Sequence, residues 1–419
     1  MTPYAVLAGD TSGASEATIQ VMELFVALVA AATLVALLTR RSGLPYSVAL
    51  VLLGLFLAAI GPSAQLFITP GLVLIVLVPG LVFEAAYRID IVELRQTFLG
   101  ATLLAVPGVL VSAGVVALVL AIAGLEPSLA FIVGAIVSAT DPVSVIATFR
   151  TLGAPRRLVT LVEAESLFND GTAVVIFAIA VRAATGPVEP IDAVVGFVTT
   201  VLVSAGLGAV LGVIATRVMV YARDHLIELA VSVVLAYGTY LVADRAGQSG
   251  IIATVVAGIV LGGYGRRVGL APATFEALDQ TWEFIAFLLT AFVFLLVGLA
   301  ITASQLVASA GAIGLGVVGI LVGRALVVYL MLGGSSRLVH ALGSGPAVPT
   351  AWLHVLFWAG LRGAIAIGLA LSLPVDLPQR SHLQGIVFGI VLFTLLVQGA
   401  TTERLLRRLG IRHEAGAAT

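Results

Sequence analysis

Apolar residues run along this chain in stretches of about 20, and polar residues are confined to short breaks between them. Each run is far longer than the roughly 10 alternating residues of a barrel strand. The elements predicted are membrane-spanning helices, thirteen in all. They cover about 20–39, 45–61, 66–86, 98–124, 129–149, 157–182, 191–220, 226–243, 249–264, 281–302, 307–333, 350–373 and 382–405. The fold class expected is an all-α polytopic membrane protein, a single unit with no room for a sizeable soluble domain.

Composition agrees. Of 419 residues, 60% are hydrophobic and 10% charged, and the mean hydropathy is +1.17. A net charge of −1 gives nucleic acid nothing to bind, and the absence of Cys removes disulfides, thiol chemistry and thiolate metal sites. All 21 basic residues are Arg, which with the abundant Ala and Gly reads as genomic base composition. Residues Met1 to Gln20 lack the basic-then-apolar pattern of a signal peptide, so insertion is expected to rely on the first span. With the N-terminus outside, sixteen arginines fall in cytoplasmic breaks: 40, 41, 88, 95, 150, 156, 157, 217, 223, 266, 267, 337, 404, 407, 408 and 412. Only Arg182, Arg245 and Arg380 fall on the other side. This positive-inside bias supports the span count and a cytoplasmic C-terminus, and a wrong count would scramble it.

Charge inside the spans is scarce, and a charged group at bilayer depth costs about 2.5–3.5 kcal/mol or more. Span 6 opens with Glu163, Ala164, Glu165, Ser166, Leu167, Phe168, Asn169, Asp170 and Gly171. Ser166 and Asp170 are four apart, as are Glu165 and Asn169, so each pair shares a helix face and the faces adjoin. Arg324 and Arg362 lie mid-span and need a carboxylate or carbonyl partner. Charge balance suggests that they neutralise two of the few intramembrane acids, Glu84, Asp141, Glu163, Glu165 and Asp170.

Span 5 contains Thr140, Asp141 and Pro142, and proline disfavours helix at the residue before it. Span 12 carries Gly360, Leu361, Arg362 and Gly363 at matching depth. Irregular backbone at that depth must line a cavity or be buried in protein. Two interrupted spans seven positions apart point to an inverted-repeat transporter with its site at the midplane, spans 4–6 and 11–13 being the related triplets. In such crossed half-helices Asp141 would sit against a helix N-terminus and Arg362 would offset exposed carbonyls.

Weighed singly, Asp170 and Asp141 read as functional, because Arg is too scarce to pair with both and Thr, Ser and Asn accompany them. Glu165 reads as structural and as a natural partner for Arg362. Glu163 reads as a charge at the start of its helix, Glu84 as interfacial rather than a funnel acid, and Arg324 as structural. None of His225, His340, His354, His382 and His413 sits with the acids, which argues against a histidine pH sensor.

At these residues the chain resembles the NhaP-type sodium/proton exchanger family of monovalent cation:proton antiporters. The resemblance rests on Thr140-Asp141-Pro142, the Glu165 to Gly171 string, Gly360-Leu361-Arg362-Gly363, and Trp282-Glu283-Phe284 running into Val293 to Gly298, and covers about residues 20–410. It implies a homodimer with a mobile core of spans 4–6 and 11–13 (about 98–182 and 307–405). Spans 1–3 and 7–10 (about 20–86 and 191–302) would form the dimerisation scaffold. It implies Asp170 as the shared cation and proton ligand, with Asp141, Ser166 and Thr140 nearby. It also implies a Glu165–Arg362 ion pair held by Asn169. Thr290 departs from the Asn expected there. The long regulatory tail of some relatives is missing after Arg404, so regulation by such a tail is not expected.

The expected activity is exchange of Na⁺, Li⁺ or K⁺ for H⁺ by alternating access at the cell membrane, serving pH and sodium homeostasis, with no cofactor and no enzymatic step. These hard cations want the oxygen ligands that carboxylate, hydroxyl and carbonyl supply. Neutral Asn169 before Asp170 favours one proton per cation, hence electroneutral exchange. The alternative is a proton-coupled carrier of an organic solute, which would want a larger polar or aromatic pocket. An intramembrane aspartyl protease lacks its Gly-x-Gly-Asp arrangement here, and a channel lacks carbonyl or acid rings.

Overall fold

The computed structural model describes residues 12–42, 45–60, 69–342 and 347–411. Residues 1–11, Arg412 and His413 lie outside them. Helix dominates, and no strand occurs among the described residues. The chain runs through α1 (Ser12–Ser42) and α2 (Tyr46–Ile60), then through a π-helical turn, Leu72–Leu77, into α3 (Val78–Arg88). Next come α4 (Ile91–Ala105) and α5 (Pro107–Ile122), α6 (Pro127–Ser138) and α7 (Val143–Leu152), and the long α8 (Arg156–Thr185). They are followed by α9 (Pro190–Ala222), α10 (His225–Arg245), α11 (Gly250–Arg267), α12 (Pro272–Ala300) and a short α13 (Ala303–Ala308). α14 (Ala310–Ala325) continues through a π-helical stretch, Leu326–Leu332, into α15 (Gly333–Ala341). α16 (Thr350–Trp358) and α17 (Ala364–Leu371) flank a second break, and α18 (Arg380–Phe393) runs through the π-helical Thr394–Gly399 into α19 (Ala400–Arg408).

Among the described residues, seven helical stretches are long and apolar enough to cross a membrane: 91–122, 156–185, 190–222, 225–245, 272–300, 310–338 and 380–408. The remaining expected spans fall on shorter or interrupted helices. Several helices outrun their apolar stretches, because the hydrocarbon limits the apolar residues and the caps limit the helix. Span 4 was expected from 98, yet its helix starts at Ile91, where the Asp90 carboxylate accepts from the amides of Val92 and Glu93 at 2.8 and 3.2 Å. The same span is divided at Pro107, which has no amide to donate. Span 10 starts at Pro272 rather than 281, with proline in the first turn.

α4 to α8 and α14 to α19 pack among themselves, chiefly α5 on α6 and α14, α4 on α8, and α18 on α6, α14 and α17. α1 to α3 and α9 to α12 form a second set, with α11 against α9 and α3 and α2 against α12. Trp282 of α12, fully buried, anchors the interior of that second set. Its ring lies 4.8 Å from Phe83, and its indole N–H donates to Ser232 Oγ at 3.0 Å. α9 leaves large apolar side chains such as Leu202 and Val210 exposed, as a lipid-facing helix does. The chain is a multi-pass membrane protein.

Where α2 crosses α12, Gly54 and Gly298 let the backbones touch. A Cβ on Gly298 would stand 2.8 Å from Gly54 Cα and from Leu55 N. Gly298→Val is expected to lower the unfolding temperature of the detergent-purified protein by several degrees, from about 1–3 kcal/mol of overpacking. Gly311→Ala, made where an added Cβ meets open space, serves as the control and should leave that temperature unchanged.

Candidate functional site

Two helices stop in mid-membrane and their ends meet. α6 ends at Ser138 and α7 resumes at Val143; α16 ends at Trp358 and α17 resumes at Ala364. The amide of Asp141 donates to the carbonyl of Leu361 at 2.8 Å, joining the two breaks. Four helix ends therefore face one another, each with backbone groups its own helix leaves unpaired. Two residue types meet that demand. The Asp141 carboxylate accepts from the amide of Val143 at 3.0 Å and from the amide of Ala364, so it sits on the positive ends of α7 and α17 together. Arg362 directs Nη1 at the Ala139 carbonyl, 3.5 Å away at the end of α6. Arg324 donates from Nε and Nη2 to the Leu356 carbonyl of α16, at 3.0 and 2.7 Å. The expectation that Asp141 and Arg362 offset half-helix ends is met, and Arg324 does the same at the other C-terminus. Gly363 is glycine for want of room, since a Cβ there would collide with the Asp141 carboxylate.

α8 crosses this junction and locks it with neutral groups. Ser166 Oγ donates to the Thr140 carbonyl at 2.5 Å. Asn169 reaches Thr140 twice: its Nδ2 donates to Thr140 Oγ1 at 2.5 Å, and its Oδ1 accepts from the Thr140 amide at 3.2 Å. The partner expected for Asn169 is thus corrected. It holds the broken backbone of span 5, not an ion pair.

The partner of Glu165 is corrected too. Its carboxylate forms a bidentate pair with Arg324, Nη1 to Oε1 and Nη2 to Oε2, the latter at 3.0 Å, and both side chains are buried. Arg362 interacts with Glu165 only at longer range. Its own amide donates to Thr394 Oγ1 at 3.0 Å. Arg362 Nε has no hydrogen-bond partner among the described residues.

A cavity of about 390 Å³ opens onto the junction. Asp141, Asp170, Ser166 and Thr140 line it, as do Glu84 and Arg88 of α3, Arg150 of α7, Glu163 of α8, and Glu283 and Thr290 of α12. Asp141 and Asp170 are close enough to interact electrostatically, and Asp170 accepts no ion pair among the described residues. Glu163, Ser166 and Asp170 follow one another at helical spacing, so one stripe of α8 forms this wall. Glu84 and Glu163, read from sequence as interfacial and as a helix-start charge, both face the cavity. Glu84 pairs with Arg88, 3.0 Å from Nε to Oε1. The only signal that could have found them was their acidity close to a span end. No histidine among the described residues lines the cavity: His354 Nδ1 meets Tyr329 Oη at 2.8 Å and His382 Nδ1 meets Ser309 Oγ at 3.0 Å. No group of three or more His, Asp or Glu that could cage a metal occurs among the described residues.

Carboxylates at a crossing of two broken spans, reached through one cavity, define a secondary transporter of small ions. Comparison with known proteins agrees. The model of the transmembrane sodium/hydrogen exchanger family matches residues 27–408, and the chain belongs to that family. A Na⁺/H⁺ antiporter of Aphanothece halophytica, ApNhaP, is 39% identical over 371 residues, spanning 88% of this chain and 70% of the relative. The Na⁺/H⁺ antiporter NhaG of Bacillus atrophaeus is 34% identical over 412 residues, 93% of this chain and 75% of that one. The solved structure of the sodium/proton antiporter MjNhaP1 from Methanocaldococcus jannaschii shares the fold, with a TM-score of 0.77 over 94% of this chain and 99% of that one at 19% identity.

Removing one member of a buried bidentate pair strands the other, at about 3–5 kcal/mol. Glu165→Ala and Arg324→Met should each lower the unfolding temperature, and the double variant should fall well short of the sum. The same cycle with Arg362→Met in place of Arg324→Met should be close to additive. Strong coupling of Glu165 to Arg362 and none to Arg324 would reverse the assignment.

Proposed function

We propose that this chain is an antiporter that exchanges Na⁺, or Li⁺ or K⁺, for H⁺ across the membrane by alternating access. The observation that carries the reading is the isolation of Asp170. Asp141 is engaged by two helix N-termini and Glu165 by Arg324, while Asp170 reaches the same cavity with no counter-ion among the described residues. A desolvated carboxylate favours whichever positive species can reach it, a proton or a cation. Competition for one carboxylate, repeated on each side of the membrane, is exchange.

In this reading Asp170 binds proton and cation in turn, and Asp141, Ser166 and Thr140 complete an oxygen-rich shell suited to a hard monovalent ion. Asn169, Glu165, Arg324 and Arg362 hold the junction and do not touch the ion. Asn169 is neutral where an acid would add a second titrating carboxylate beside Asp170, which favours one proton per cation and no net charge moved. α4–α8 and α14–α19 pack more closely with one another than with the rest, which supports a mobile core, and the same holds of α1–α3 with α9–α12, which supports a scaffold that dimerises. Thirteen crossings of the cell membrane, an external N-terminus and a cytoplasmic C-terminus rest on the arginine distribution. The chain then acts without a cofactor and performs no covalent chemistry. Nothing observed favours an organic solute.

Everted vesicles should show a pH change on addition of Na⁺ or Li⁺, and Asp170→Asn should abolish it while purifying as a folded protein. Clamping the membrane potential should leave the rate unchanged. Exchange retained in Asp170→Asn would move the ligand role to Asp141, and a rate that follows the potential would overturn the one-to-one stoichiometry.

A further inference from the structure

The mouth of the cavity has two charged walls. α3 and α12 contribute Glu84, Arg88 and Glu283; α7 and α8 contribute Arg150 and Glu163. The two arginines differ in one respect. Arg88 is fixed, 3.0 Å from Glu84 Oε1 and 3.3 Å from Glu283 Oε2, and it donates to the Asp279 carbonyl at 2.7 Å. Arg150, exposed in the last turn of α7, forms no ion pair among the described residues, and neither does Glu163. Both are within electrostatic reach of each other, and Arg150 also acts on Glu84 across the gap.

We propose that Arg150 is a tethered cation that competes with the entering metal cation for the carboxylates of Glu163 and Glu84, and so sets the apparent affinity of the transporter at this mouth. The inference rests on the exchange reading above. Glu163 precedes Asp170 by seven residues on one stripe of α8, about 10 Å along the helix. A cation held at Glu163 is therefore one step from the site. A guanidinium keeps its charge at every working pH, and at the end of a flexible stem with no fixed partner it can lie over either acid or swing clear. While it lies there, an incoming cation must displace it. Arg88, pinned by two carboxylates and a carbonyl, cannot play that part. The position of Arg150 at the C-terminal end of α7 also suits a cation as a matter of helix stability, so the test needs a readout that stability does not move.

That readout is the apparent KM for Na⁺, measured from proton movement in everted vesicles, where the Arg-rich face is outward. Arg150→Gln is expected to lower KM by about threefold and Glu163→Gln to raise it by about threefold, the size of a partly screened charge pair. Arg150→Lys should stay near the wild type, and the double variant should lose most of the gain of Arg150→Gln. Raising ionic strength with choline chloride should shrink these differences. An unchanged or higher KM in Arg150→Gln overturns the proposal, as does a fall in maximal rate and unfolding temperature at constant KM, which would mark Arg150 as a helix cap. If Arg150→Gln does not fold, the rise in Glu163→Gln and the behaviour of Arg150→Lys decide the matter. A wild type that moves no protons on Na⁺ addition overturns the exchange reading itself; normal exchange with KM unmoved in both variants overturns only the competition.

Discussion

Backbone polar groups cannot be left bare in hydrocarbon, and the whole centre of this protein follows from that constraint. Breaking two helices at the midplane frees amides and carbonyls on four helix ends. Each unsatisfied group costs several kcal/mol. The chain meets the cost with three charged side chains. Asp141 serves two N-termini, while Arg324 and Arg362 serve the C-termini of α16 and α6. The fixed charges that look anomalous in an apolar chain are the counterparts of its broken backbone.

A junction held only by charge would be poorly fixed, since charges act at long range and tolerate displacement. α8 adds direction. Ser166 and Asn169 make three hydrogen bonds to Thr140, each to a different atom: carbonyl, amide and hydroxyl. This ties a continuous helix to the break in span 5 without adding charge. Glu165, one residue before Ser166, pairs with Arg324. What remains beside the junction on α8 is Asp170, which forms no ion pair among the described residues. In the proposed reading, neutral clamps and a closed ion pair around it leave this carboxylate open to an external cation or proton.

The cavity lies between the two helix sets rather than inside either. Its walls come from α3 and α12 on one side and from α7, α8 and the start of α17 on the other. A relative displacement of the sets would change access to Asp141 and Asp170 without disturbing the junction, because every contact that holds the junction lies within α6–α8 and α14–α19. The mouth carries charge on both walls, so displacement there also changes which charges face each other.

Much of this was legible along the chain. Runs of apolar residues located the helices, since hydrocarbon thickness sets their length. Pro142 and the glycines around Arg362 located the breaks, since proline and glycine act on local backbone. Periodicity placed Ser166 with Asp170 and Glu165 with Asn169, since a helix fixes its own faces. Partners between helices were another matter. Glu165 was expected on Arg362 and is found on Arg324; Asn169 was expected at the ion pair and is found on Thr140. Glu84 and Glu163 were read as peripheral and line the cavity. Those outcomes depend on the rotation and depth of one helix against another, which packing of the whole bundle decides and no single helix encodes. The sequence alone determined a membrane bundle with two broken spans and an acidic centre. Only the tertiary structure decided that Arg324 rather than Arg362 takes Glu165, and that Asp170 at the junction is left without an ion pair among the described residues.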